Sequence, residues 1–184
     1  MEMSRKMWID TDMGSDDAVA LIMALQSEDI EVVGISALSG NVPLEQATLN
    51  ARFIAELCES DVPVYAGADK PLLRPYVDAT WFHGIDGLSG YGGIPQQKPE
   101  KAHAVDALIA ASHQYEDLIL VTLGPLTNIA LAVARDPSSG ESTYNLACVR
   151  ALQGRLDEAE DTLAIALAIT LVAVVLPAAP HLAA

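Results

Sequence analysis

Four aspartates fall within eight residues near the start of this 184-residue chain: Asp10, Asp12, Asp16 and Asp17. With 25 acidic residues in the whole chain, a window of that size should hold roughly one. Like charges crowded onto one tight turn repel strongly once water is partly excluded. A shared cation resolves the conflict. Carboxylates clustered without Cys or His suit a hard ion, calcium or magnesium, better than zinc.

The local pattern places that turn in a fold. Lys6 to Asp10 reads as a short strand. Ser15 is placed to cap a helix starting at Asp16, with Val19, Leu21, Ile22 and Leu25 covering one broad face. Asp16 and Asp17 then occupy the first helical turn, where the helix dipole favours negative charge. Ile30 to Leu38 is almost continuously apolar, as a parallel strand buried on both faces should be. A helix over Pro43–Cys58 and a strand over Val62–Ala66 follow. Residues 67–100 are rich in Gly and Pro and read as a long functional loop region. A helix over Ala102–Tyr115, a strand over Leu118–Leu123 and a helix over Pro125–Ala134 complete the alternation. The expected class is α/β: an open, mostly parallel sheet with flanking helices. Ligands in such sheets bind beyond the carboxyl ends of the strands. Asp10 and Asp12, Asn41, and Leu123-Gly124-Pro125 stand at three such ends. Asp10 and Asp12, two apart along a strand end, lie roughly 7 Å apart by strand rise and face one side.

The chain reads as two parts. Residues 1–137 form the α/β domain, and residues 138–184 a helical tail. Thr143 to Ala168 resembles a tetratricopeptide helix pair, a unit that cannot bury its faces alone. The apolar stretch Leu163–Leu176, followed by Pro177 and Pro180, is shorter than the roughly 20 residues a membrane span needs and reads as a buried helix. A net charge of −15 excludes a nucleic-acid binder, which needs a basic face. Cys58 and Cys148 form no disulfide framework or metal-ligand spacing, and the basic start lacks a secretory apolar run. These features suit a cytoplasmic protein. Cys58 is expected in the core, and His103 and His113 on a solvated helix face.

The acidic motif Asp10-Thr11-Asp12-x-Gly14-x-Asp16-Asp17-Ala18 resembles the signature of the inosine/uridine-preferring nucleoside hydrolases. Three more motifs agree in order: Ser39-Gly40-Asn41, His83-Gly84-Ile85-Asp86-Gly87-Leu88, and Leu123 to Ala130. The resemblance covers about residues 6–137. It implies a calcium-dependent enzyme that cleaves the N-glycosidic bond of ribonucleosides to ribose and free base. Carried over by position, Asp12 binds Ca²⁺ and takes the proton from the attacking water. Asp17 is a second calcium ligand, Asp10 chelates the ion or supports the site, and the backbone carbonyl of Leu123 is another ligand. Asp16 and Asn41 hold the ribose hydroxyls. His83 lies toward the base, and Asn128 supports the loop and helix start. The resemblance also implies homo-oligomers. Two family segments have no match after Pro137: an Asn- and Glu-bearing ribose segment and a late His-Asp pair.

Other readings compete. A catalytically inactive protein could bind nucleosides, or dock a partner through Thr143–Ala168. Asp10-x-Asp12 also resembles the opening of haloacid dehalogenase-type phosphatases, but Gly14 stands where that motif has Thr or Val. An EF-hand fails because its twelfth position, counted from Asp10, is Leu21 rather than Glu.

Overall fold

A computed structural model describes residues 4–136. Four strands form one parallel sheet: β1 (Arg5–Thr11), β2 (Ile30–Ala37), β3 (Val64–Ala66) and β4 (Ile119–Thr122), in the spatial order β3-β2-β1-β4. Five helices accompany them: α1 (Ser15–Leu25), α2 (Leu44–Leu57), the single-turn α3 (Thr80–His83), α4 (Ala104–Gln114) and α5 (Thr127–Arg135). The α/β alternation expected from the sequence is the architecture observed. The chain divides into two compact units, residues 1–128 and 129–184. The helical tail expected over 138–184 lies outside the described residues. Among the described residues, no helix is long and apolar enough to cross a membrane.

The strand order fixes where a ligand can sit. From β1 the chain steps outward to β2 and β3, then returns to the other side of β1 with β4. That reversal opens a crevice at the carboxyl end of β1, where loops on either side diverge. The acidic turn fills this position. In register, Asp10 stands opposite Ser36 of β2 and Thr122 of β4.

The core lies between the sheet and the helices α1 and α2. Ile9, Leu21, Ile35, Ala51, Ile54 and Val64 are buried together there. Full burial of a side chain such as Leu21 contributes about 2 kcal/mol. Strand alternation sends Trp8 to the other face. Its ring stacks on Tyr65 with centroids 5.5 Å apart. The buried residues of α4, Ala104, Val105, Leu108 and Ala111, lie outside the α1/α2 cluster.

Four local expectations need correction. Val19 is 57% exposed, so the buried stripe of α1 runs through Ala18, Leu21 and Ala24 instead. That stripe follows the three-residue spacing of a helix face, from which Val19 is turned away. Ser15 is the first helical residue rather than the cap: Gly14 takes that position, and Asp17 accepts its N–H at 2.6 Å. His103 caps α4 by accepting the Val105 N–H at 3.2 Å, so it stands before the helix, not on its face. Cys58, expected in the core, is half-buried at the C-terminus of α2 and packs against the core's margin.

Candidate active site

The turn after β1 is strained and anchored. Met13 is fully buried with φ +48, a conformation that side chains other than Gly seldom adopt. Its N–H is held by Thr11 Oγ1 at 3.1 Å, and its carbonyl receives the Asn50 side-chain amide at 3.4 Å. This turn swings Asp12 toward the loop after β2. There the Asn41 backbone N–H donates to Asp12 Oδ2 at 2.7 Å, and Asn41 Nδ2 donates to Asp12 Oδ1 at 3.1 Å. The same Nδ2 lies 3.4 Å from Asp17 Oδ2. One asparagine therefore links two carboxylates from different elements. On the β4 side, Gly124 packs against Asp12; a Cβ there would stand 3.1 Å from Asp12 Cγ. The preceding residue, Leu123, is tied to β1 by its N–H, which donates to the Asp10 carbonyl at 2.8 Å.

Asp10 has a different setting. It is fully buried. One oxygen, Oδ1, accepts from Ser36 Oγ and from Asn128 Nδ2, the latter at 2.8 Å. Trp8 Nε1 donates to the same Ser36 hydroxyl at 2.9 Å. The other oxygen, Oδ2, has no partner among the described residues. Asn128 also donates to the Ala37 carbonyl at 3.3 Å and accepts the Ala68 N–H at 2.8 Å. It thereby joins the carboxyl ends of β1, β2 and β3 to the start of α5, the supporting place expected for it. Asn128→Ala leaves three buried polar groups without this partner. We expect a loss of about 3 kcal/mol of stability, read as a lower midpoint in urea unfolding.

The residues expected to face substrate converge on Gly14. A Cβ at that position would lie 2.6 Å from Asn41 Nδ2, 2.8 Å from Asp16 Oδ1 and 2.9 Å from His83 Cε1. Only glycine lets these three groups approach so closely. Asp16 itself is open, with its side chain 79% exposed. His83 is buried, and its Nδ1 accepts the Ser15 N–H at 3.3 Å, with Ser15 Oγ at 3.1 Å. Asp16 Oδ1 lies 3.8 Å from the same Nδ1. The loop bearing His83 is organised by Asp86, which accepts the N–H groups of Leu88, Gly90 and Gly92 at 3.0–3.2 Å. Those backbone donors, led by Gly90, hold the Asp86 carboxyl below its usual pKa. Asn50 fastens this loop to the acidic turn by donating to the Asp86 carbonyl at 2.7 Å. Sequence reading missed Ser36, Asn50 and the role of Asp86; the Asp86-Gly87 pair alone hinted at a turn.

The electrostatics show unmet negative charge. Burial pushes Asp10 up to about 6, opposed by the Ser36 and Asn128 hydrogen bonds. Burial, and next the charge of Asp12, pushes Asp17 up to about 7. Asp12 is raised too, chiefly by burial. No three His, Cys, Asp or Glu side chains among the described residues stand grouped to hold a metal ion. What is present is the Asp12–Asp17 pair joined by Asn41 and, at the end of β1, Asp10 with a buried oxygen that lacks a partner among the described residues. Oxygen donors of this kind fit a hard cation in type, with carbonyls and waters needed to reach the 6–8 ligands that calcium takes.

The family profile described as inosine-uridine preferring nucleoside hydrolase matches residues 7–149. An uncharacterised protein of Schizosaccharomyces pombe is 43% identical over 136 residues, covering 72% of this chain and 44% of that protein. The non-specific ribonucleoside hydrolase RihC of Klebsiella pneumoniae is 38% identical over 140 residues, covering 75% of this chain and 45% of its own. A solved structure, the purine-preferring ribonucleoside hydrolase from Gardnerella vaginalis, superimposes with a TM-score of 0.70 at 33% identity, covering 73% of this chain and 45% of that one. The chain spans less than half the length of these relatives. On these matches this chain belongs to the inosine-uridine preferring nucleoside hydrolase family.

Proposed function

We propose that this site serves calcium-dependent hydrolysis of the N-glycosidic bond of ribonucleosides, releasing ribose and free base. The observation that carries the reading is the pairing of Asp12 with Asp17 through Asn41, at the switch point of the sheet. Asp12, Asp17 and the Leu123 carbonyl would hold the ion, and Asp10 would chelate it or support the site. Bound calcium supplies positive charge that makes a neighbouring water easier to deprotonate.

The chain's own residues do the rest. Asp12 accepts the water proton as general base, with Asn41 fixing its orientation. Cleavage at the sugar C1 passes through an oxocarbenium-like state, which a ring of carboxylates stabilises. The exposed Asp16 carboxylate accepts from ribose hydroxyls, and Asn41 contacts them beside it. Holding the sugar by two hydroxyls removes rotational freedom from the barrier. His83, which meets the same Gly14 position as Asp16 and Asn41, would face the base.

The test is base release from inosine and uridine, followed with calcium present and with calcium chelated. We expect release that chelation abolishes. Nucleoside binding without turnover would favour an inactive binding protein. Phosphate release from a simple phosphomonoester would favour the phosphatase reading instead.

A further inference from the structure

The left-handed glycines among the described residues are Gly84, Gly87 and Gly90. Gly40 and Gly124 are not among them, so their backbone does not itself call for glycine. What a side chain at either position would meet is the same residue, Asp12. A Cβ at Gly40 would stand 2.0 Å from Asp12 Oδ2 and 2.6 Å from Asp12 Cβ and Cγ. The oxygen could swing aside, but the Asp12 Cβ is fixed by its backbone. A Cβ at Gly124 would stand 3.0 Å from the Asp12 backbone nitrogen and 3.1 Å from Asp12 Cβ and Cγ. Carbon atoms pack at about 3.5–4.0 Å, so the first contact is a collision and the second a squeeze.

The two glycines belong to different loops. Gly40 follows β2 and Gly124 follows β4, the strands on either side of β1. Each loop is pinned to the end of β1. The Leu38 N–H donates to the Thr11 carbonyl at 3.1 Å, and the Leu123 N–H to the Asp10 carbonyl at 2.8 Å. Beyond Leu38, the Ser39 N–H donates to the Ala68 carbonyl at 2.9 Å and the Gly40 N–H to the Val42 carbonyl at 3.2 Å. Neither loop is free to retreat. Asn41 fixes the two Asp12 oxygens by hydrogen bonds, and the glycines close on the rest of the side chain. We propose that Gly40 and Gly124 are positioning residues, two walls of a slot that holds the Asp12 carboxylate where it takes a proton from water; this rests on the reading of Asp12 as general base.

Gly40→Ala and Gly124→Ala in the full chain test it, with base release from inosine measured at saturating calcium. Misplacing a reacting group by about 1 Å can cost about 100-fold, and we expect kcat to fall by about that factor in Gly40→Ala. Gly124→Ala demands a smaller shift; its kcat should fall roughly 3- to 10-fold, with KM within about twofold. Thermal melting supplies a readout apart from turnover. Alanine in place of an unstrained glycine stabilises by restricting the unfolded chain, so a lower melting temperature in Gly40→Ala marks a collision. Repeated in an Asp12→Gly background, that fall should shrink by about half or more, as contacting residues couple. An unchanged kcat in folded Gly124→Ala overturns the inference alone, as does a loss confined to KM. An equal fall in melting temperature in both backgrounds also overturns it, since Asp12 would then not be what excludes the side chain. A parent chain that releases no base, with the melting comparison as expected, overturns the reading of the site and leaves the slot standing.

Discussion

Replacing Asp12 by Asn is expected to lower the proposed ribonucleoside hydrolysis by about 10³-fold or more, with the fold intact. A positioned general base typically contributes about 10²- to 10⁴-fold, and this substitution also removes a charged donor from the cation site. The variant is nearly isosteric. It nevertheless faces a conflict, because both Asp12 oxygens accept from Asn41. One arm of an Asn side chain is a donor, so one of those hydrogen bonds becomes donor against donor. The local structure should survive, since the substitution also removes a partly buried charge whose pKa burial has raised. Base-release kinetics and circular dichroism together separate lost chemistry from lost fold. Activity within tenfold of the parent chain would show that Asp12 is not the base.

The second large effect is on stability. In calcium-free solution, stability falls as pH rises from about 4 to about 7. Asp10 and Asp17 have ordinary pKa values of 3.8 and are raised to about 6 and about 7 in the folded chain. Between those limits the folded state binds more protons than the unfolded one. Linkage then makes the stability due to these protons complete below the unfolded pKa and lost as pH passes the folded values. For Asp10 alone the shift corresponds to roughly 3 kcal/mol. Calcium reverses the trend at pH 7–8, because it replaces the missing protons as the counter-charge; at a hundred times its Kd it adds about 2.7 kcal/mol. Urea unfolding across this range, with and without calcium, checks both arms. Stability that rises through the window without calcium would mean that the acids are not crowded as described.

Much of this was legible in the residues because the fold is written in local pattern. Parallel strands buried on both faces read as apolar runs, and β2 falls where Ile30–Leu38 indicated. The acidic turn was visible because four like charges are statistically and energetically conspicuous. Its supports were not visible. Asn128 reaches Asp10 across 118 residues, and only the assembled sheet edge brings them together. Ser36 looks like an ordinary strand serine until its register opposite Asp10 is known. The capping error at Ser15 has a similar origin. Serine is a good cap by propensity, but its hydroxyl lies 3.1 Å from His83 Nδ1, 68 residues away.

The central claim is that the N-terminal acids hold a divalent cation beside a sugar pocket. Calorimetric titration of Ca²⁺ into the chain near pH 7, repeated in two buffers of different ionisation heat, tests it most directly. The account predicts saturable calcium uptake with proton release into the buffer, as the raised Asp17 carboxyl ionises, and loss of that uptake in Asp12→Asn. Folded protein that takes up no calcium, or an Asp12→Asn variant that binds it as well as the parent, would contradict it.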